Sequence, residues 1–477
     1  MTVPTQVMRW GTILGVGGAS AAVALWMRSM GIFSAGAAMV ALRANAPASF
    51  ETVGLDLPPL PVILSMPLGF LPALRWDPLG PAVVSATAAG IAAWWLFGAL
   101  RAMGVRTAAA LLIAAGAVLH PGWVYAAASG SGTVLASALL VAALRLHRRW
   151  QGSGEAVAIL ASSFAMALGG LARYDFFLVG WAVALLVLRG SRARPKDPRD
   201  ERPAFSVAYA AAVTGTLGLW LVTVGTVTGD PLAFIGASRD ALAAPSSSNA
   251  PVHALVVIVP ALLLAALAAV LRRGQAATVS MAVITSAAVG ASIVSGSPLS
   301  LDAVLPLVPL SALLAGEIVA AHLRLRPLVA LAVPGLVLSG AVAVALSPDW
   351  GEGHRATLDA LAGRARPMWQ GERDLAAGLR AASGRVVVDQ RIDGVATLLL
   401  ASPHLVAPVD PGTTPPRADL VLVRTPAGRG SAHRVAAAWP TLYSGGAPWA
   451  QLVGSWPVSG EPGEYRLYAV QPVGVSR

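Results

Sequence analysis

Apolar runs of 18 or more residues recur through the first 347 positions of this chain. Each is long enough to cross a hydrocarbon core of about 30 Å as a helix. Inside that core every amide and carbonyl must find its partner within its own segment or sheet, which leaves helices or closed barrels. The runs are rich in Ala, Leu, Val and Gly and too long for barrel strands. The expected fold class is therefore an all-α polytopic membrane protein. Runs near 10–27, 80–100, 107–125, 127–144, 155–171, 176–189, 206–228, 253–271, 277–295, 303–320 and 328–347 make about eleven transmembrane helices. Charged residues are only 12% of the chain, against about 25% in a soluble domain. The first run lacks a small-residue cleavage pattern and reads as a retained helix rather than a signal peptide.

The net charge of +11 follows from topology. Basic clusters stand at alternate turns: Arg101 and Arg106; Arg145, Arg148 and Arg149; positions 189–202; Arg272 and Arg273; Arg324 and Arg326. With Arg9 they hold 16 of the 34 Lys and Arg, while the opposite connections hold only Arg28, Arg43, Arg75, Arg173 and Arg239. The positive-inside rule puts the first set and the N-terminus in the cytoplasm of a bacterial inner membrane. No basic face with interleaved aromatics is present, so nucleic acid is not an expected partner. Most tryptophans, Trp10, Trp26, Trp76, Trp123, Trp150, Trp181 and Trp350 among them, fall near run ends and read as an interfacial belt.

Residues 58–74 look like one more span, yet counting them as one inverts every later loop. Their five prolines also break a continuous helix. They read as a re-entrant or interface-lying segment of a first external loop at 28–79. Two domains follow from the same bookkeeping. Residues 1–347 form the membrane part, and 348–477 form an extracytoplasmic tail with 13 Lys and Arg and 11 of the 23 Asp and Glu. Stretches 385–389, 418–424 and 465–470 read as strands. Helical patterns at 371–382 and 431–438 lie among them, so the tail is expected to be a small α/β domain.

The chain has no cysteine, which excludes thiolate chemistry and disulfides. The cytoplasmic loops are short, and the longest, 189–203, is a charged, proline-rich linker. Polar surface large enough for a reaction therefore lies outside, in the first loop, the 229–252 loop and the tail. Activated substrates reach that face attached to lipid. In the first loop Glu51 and Asp56 precede the proline-stiffened Pro58-Pro59-Leu60-Pro61. A carboxylate there can deprotonate an acceptor hydroxyl or hold a divalent ion on a lipid phosphate; solvated loop acids are the competing reading. Arg173 could meet a lipid phosphate or pair with Asp175 across the interface. Asp230 precedes Pro231 and is suited to a turn. His120 before Pro121 could act in acid–base chemistry or be structural. Glu317, inside an apolar run, is a costly intramembrane acid that could also snorkel toward the cytoplasmic surface.

Several of these motifs together resemble the GT-C class of membrane glycosyltransferases, the broad group related to protein mannosyltransferases and aminoarabinose transferase. They are the PPL segment at 58–60, His120-Pro121-Gly122, Gly169-Gly170-Leu171-Ala172-Arg173-Tyr174-Asp175, the TGDPLAF stretch at 228–234, and a tail closing in Tyr465-Arg466-Leu467-Tyr468. The resemblance covers nearly the whole chain and implies transfer of a hexose or pentose from a polyprenyl-phosphate donor to a cell-envelope glycan, lipid or protein. On it Glu51 and Asp56 become the catalytic candidates. Pro58, Pro59, His120, Arg173, Asp175 and Asp230 become substrate-binding candidates, with no resident metal site assigned and a divalent cation the only cofactor in question. Members of the class carry an acid early in the first loop, where this chain has the acid-free stretch Phe33-Ser34-Ala35-Gly36-Ala37-Ala38-Met39. An inactive scaffold or lipid-glycan binding protein is the alternative, and a transporter a further one. Paired halves and several mid-span charges, the marks of a transporter, are missing from the sequence.

Orientation is directly testable. An alkaline phosphatase fused after residue 477 is expected to be active in cells, and an inactive fusion would place the tail in the cytoplasm.

Overall fold

The computed structural model describes residues 5–45, 57–189, 202–233, 250–270, 276–294, 301–321, 352–364, 368–382, 384–389, 394–400, 406–407, 416, 418–425, 435, 438–444, 447–459 and 463–471. The membrane part contains α1 (Thr5–Ser29), α2 (Ala35–Asn45), α3 (Pro59–Ser65), a 3-10 turn (Met66–Phe70), α4 (Leu79–Ala102), α5 (Thr107–Val118), α6 (Pro121–Ala128), α7 (Gly132–Ser153), α8 (Ala156–Ala172), α9 (Asp175–Arg189), α10 (Arg202–Thr228), α11 (Ala250–Val270), α12 (Ala276–Val294), α13 (Leu301–Val304) and α14 (Leu307–Ala321). Among the described residues α1, α4 and α10 are each long and apolar enough to cross a membrane, and α5 with α6 makes a further span bent by 61°. Apolar helices stand at each of the other expected runs except 328–347, which lies outside the described residues.

Two boundaries differ from expectation for identifiable reasons. The run at 107–125 stops at Val118 because Pro121 has no amide to continue the ladder; the proline instead opens α6 at its first turn. The next helix is displaced from the expected 127–144. Gly130 turns the chain at φ +78°, and the Ser131 hydroxyl caps α7 by accepting from the Thr133 amide at 3.1 Å. Charged Arg145, Arg148 and Arg149 then continue the helix past the apolar window.

Segment 58–74 forms α3 and its 3-10 extension. These span 59–70, or roughly 18 Å as helix, too short to cross. Pro59, Pro61, Val62 and Ser65 face the protein, while Ile63, Leu64, Phe70 and Leu71 are exposed. Helix α2 was not foreseen from the sequence.

Small residues let the helices close on one another. The backbone of Ile13 in α1 fills the place where a Cβ on Gly90 of α4 would stand, and Gly17 faces the Ala86 carbonyl in the same crossing. The start of α14 is the deepest element: Leu307, Leu310 and Leu313 have essentially no exposed surface. Trp123 and Trp150, expected in an interfacial belt, are buried in this core instead; Trp10 and Trp181 are exposed.

Glu317 does not snorkel. It pairs with Arg148 of α7 and accepts from the Thr278 hydroxyl of α12 at 2.9 Å. Arg148 also reaches Thr278 Oγ1 at 3.3 Å. Three helices are thus joined by one buried charge network.

The tail holds α15 (Glu352–Leu361), α16 (Gln370–Ala382), β1 (Val386–Val387), α17 (Gly394–Leu400), β2 (Val406–Ala407), β3 (Leu420–Arg424), α18 (Thr441–Ser444), β4 (Ala450–Pro457) and β5 (Glu464–Val470). The sheet order is β2-β1-β3-β5-β4. The β2, β1 and β3 strands are parallel, and β5 and β4 are added antiparallel. Strand alternation sends Tyr465 and Leu467 to the face packed by α16 and α17, and Tyr468 to the face holding Trp439 and Trp449. Glu372 of α16 is buried and accepts from the Tyr465 hydroxyl at 3.2 Å.

Removing one member of the Arg148–Glu317 pair strands the other in the core. Glu317→Leu or Arg148→Met alone is expected to cost about 3–5 kcal/mol, and the double variant much less than their sum. Thermal unfolding of the detergent-solubilised protein tests this; additive losses would show that the pair is not coupled.

Candidate functional site

At one end of the bundle the chain departs from regular helix several times within a small space. Here α1 ends, the first loop runs, α4 begins, α6 turns into α7, and α8 turns into α9. Each freed backbone group is met by protein. Ser34 Oγ accepts from the Ala37 amide at 3.0 Å, capping α2, and donates to the Ser129 carbonyl at 3.0 Å. Ser85 Oγ donates to the Ser131 carbonyl at 2.8 Å. Arg28 forks onto both carboxylate oxygens of Asp77 at 3.0 Å and ties the end of α1 to the start of α4.

The proline-led helix is locked onto the same corner. Pro58 caps α3 and Pro59 opens it, its fixed φ suited to a first helical turn. Pro61 lies over Gly132, where a Cβ would come within 2.9 Å of Pro61 Cγ and 3.4 Å of the Ala172 carbonyl. Thus α3, the start of α7 and the end of α8 meet at one glycine. From the next residues of α8, Tyr174 donates its hydroxyl to the Leu57 carbonyl at 3.3 Å.

Arg173 is the charged centre of this corner. Its Nε and Nη2 donate to the two oxygens of Asp175 at 2.9 and 2.5 Å. Its Nη1 reaches Thr133 Oγ1 at 3.3 Å, and the guanidinium lies 5.7 Å from the Phe176 ring centre. The fork is therefore held in one plane, with one edge on Asp175 and the other on α7.

The structure brings Pro58, Pro59, Arg173 and Asp175 to this corner. Asp230 stands on its flank, since Ala233 packs with Leu171, Tyr174 and Trp220. The Asp230 carboxylate accepts from the Leu232 amide at 2.9 Å, a turn role. His120 sits at the α5–α6 break, 1% exposed, with neither ring nitrogen hydrogen-bonded among the described residues. Glu51 and Asp56 lie outside the described residues. Among those described, no three His, Asp or Glu side chains converge as a metal site would require. Thr133, Tyr174 and Ser34 escaped the sequence reading. Tyr174 lies within the quoted GGLARYD motif, but its partner is 117 residues away.

The tail is seated on this end. Trp369 stacks on Phe33 with centroids 5.8 Å apart and donates Nε1–H to the Phe33 carbonyl at 3.2 Å. Arg373 donates to the Gly31 carbonyl at 3.2 Å and occupies the space a side chain on Gly31 would need. Val395 and Leu398 of α17 pack on Ala38, Ala41 and Leu42 of α2. His354 meets the Tyr125 ring edge-on at 5.1 Å. Within the acid-free stretch 33–39, Phe33 and Ala38 thus meet the tail, while Ala35 and Gly36 are exposed.

A helical bundle, a proline-led helix in the first loop and an α/β tail seated on that end make up the fold. A crystal structure of ArnT from Cupriavidus metallidurans bound to undecaprenyl phosphate matches 96% of this chain and 97% of its own, with a TM-score of 0.58 at 14% sequence identity. The likeness is one of fold, and it runs through membrane part and tail alike. No family model and no curated protein matches the sequence.

The Trp369 contacts account for much of the tail's seating. Trp369→Ala is expected to expose the tail to trypsin at several-fold lower protease concentration while α1–α14 remain resistant; an unchanged digestion pattern would show that the stack contributes nothing.

Proposed function

We propose that this chain is a glycosyltransferase that takes a sugar from a polyprenyl-phosphate carrier and passes it to a cell-envelope acceptor at the membrane face bearing the tail. The observation that carries this reading is the end-to-end likeness in fold to ArnT, a protein whose crystal structure holds undecaprenyl phosphate. The charge asymmetry of the loops supports the choice of face. A donor on that face travels on lipid, and the corner around Arg173 opens beside a short helix with exposed Ile63, Leu64 and Phe70, suited to contact with lipid.

In this reading the reaction needs a base and a phosphate holder. Glu51 or Asp56 takes the proton of the acceptor hydroxyl, the only carboxylates offered by the loop just before α3. The acceptor oxygen then bonds to the anomeric carbon. The carbon–oxygen bond to the carrier breaks, and its electron pair stays on the phosphate, which leaves as polyprenyl phosphate. Arg173, its plane set by Asp175 and Thr133, stabilises that developing charge. Pro58 and Pro59 shape the wall, and Asp230 and His120 border the site.

A second reading, a lipid-glycan binding relative without catalysis, is favoured by one specific observation. Where the class carries its acid, this chain has the acid-free stretch Phe33-Ser34-Ala35-Gly36-Ala37-Ala38-Met39. The two readings separate in one assay. Purified protein incubated with a panel of lipid-linked hexoses and pentoses is expected to release polyprenyl phosphate from at least one. Glu51→Gln with Asp56→Asn should lower that release by about 10²–10⁴-fold, and Arg173→Gln by on the order of 10²-fold. Carrier binding with no release from any donor would establish the second reading, and release indifferent to the paired carboxylate change would remove Glu51 and Asp56 from catalysis.

A further inference from the structure

The end of the bundle away from the tail carries an arginine with no counter-charge among the described residues. Arg101 donates to the Val105 carbonyl at 2.6 Å. Arg148 is consumed by Glu317 and Arg149 by Glu155 at 2.9 Å, which uses both acids described near this end of α7. Arg145 has no hydrogen bond or ion pair among the described residues, although it is half-buried. Among the described residues, the charges beside it are Arg149 and Arg9, both of its own sign.

Its position is nevertheless well defined. A Cβ at Gly98 of α4 would lie 3.0 Å from both Cζ and Nη1 of Arg145 and 3.3 Å from Nη2. Three atoms of the guanidinium therefore lie flat against the α4 backbone, in a space that only glycine leaves free. An arginine that merely extends into interfacial water needs no such bed. Beside it Arg9 lies over the Trp10 ring at 5.3 Å. A half-buried guanidinium without a counter-charge is unfavourable, and its planar fork matches the oxygens of a phosphate.

The surroundings indicate which phosphate. Val7, Trp10 and Leu14 form an exposed stripe on α1 at helical spacing, a surface on which acyl chains can lie below a head group held by Arg145 and Arg9. Basic pockets between transmembrane helices commonly hold acidic lipid head groups. We propose that Arg145, bedded on Gly98 and flanked by Arg9, binds the phosphate of an acidic phospholipid at this end of the bundle. The site is independent of the glycosyl-transfer reading, because it lies at the opposite end of α4 and α7 from Arg173.

The test uses the full chain in detergent, with native mass spectrometry counting bound lipid during titration. Phosphatidylglycerol is expected to bind at one saturable site, phosphatidylcholine to bind at least tenfold more weakly, and millimolar inorganic phosphate not to displace it. Arg145→Gln and, separately, the exposed Arg9→Gln should each weaken phosphatidylglycerol binding about fivefold or more, whereas Arg106→Gln should not. Equal binding of the two lipids, or undiminished phosphatidylglycerol binding in both Arg145→Gln and Arg9→Gln, would overturn the site. Displacement by inorganic phosphate would overturn the lipid assignment in favour of a free phosphate.

Discussion

A peptide group inside a bilayer has no water to bond, so irregular backbone survives there only where protein supplies its partners. In this chain the irregular backbone of the membrane part gathers at the end covered by the tail. The turn at 129–131, the proline-led helix α3 and the break between α8 and α9 lie together. Hydroxyls and carbonyls from distant segments meet them: Ser34 on Ser129, Ser85 on Ser131, Tyr174 on Leu57. Cross-links of this kind make the corner rigid.

Charge is handled differently at the two ends of the bundle. At the tail end arginines are spent on precise pairing, Arg28 on Asp77 and Arg173 on Asp175. In the second pair the geometry leaves the guanidinium oriented by Thr133 as well, so its plane is fixed before any ligand arrives. At the far end one buried pair, Arg148 with Glu317, joins α7 to α14, and Thr278 draws in α12. The neighbouring Arg145 meets no acid among the described residues and lies against a glycine instead. Fixing a cation by steric support while leaving its charge open is an economical way to prepare for an anion.

Tail and membrane part depend on each other through α2. That helix is short, small-sided and buried on one face by α17 and Trp369. Its alanines Ala38 and Ala41 make the close approach possible.

The amino-acid sequence by itself determined the class of solution. Long apolar runs in a medium without water must be helices, and prolines interrupt them, so the bundle and the short segment at 58–74 were legible from residue chemistry alone. In the tail the strands at 418–424 and 465–470 were legible from their composition. The exposed strand β4, with polar and apolar residues mixed, was not. The broken span at His120 and the buried pair of Glu317 were invisible to hydropathy, because an average over a window cannot register one missing amide or one partner 169 positions distant. The meeting of Pro61 with Gly132, the plane of Arg173 and the stacking of Phe33 on Trp369 were decided only by tertiary structure. Each depends on contact between residues far apart in the chain, and no local preference encodes that distance.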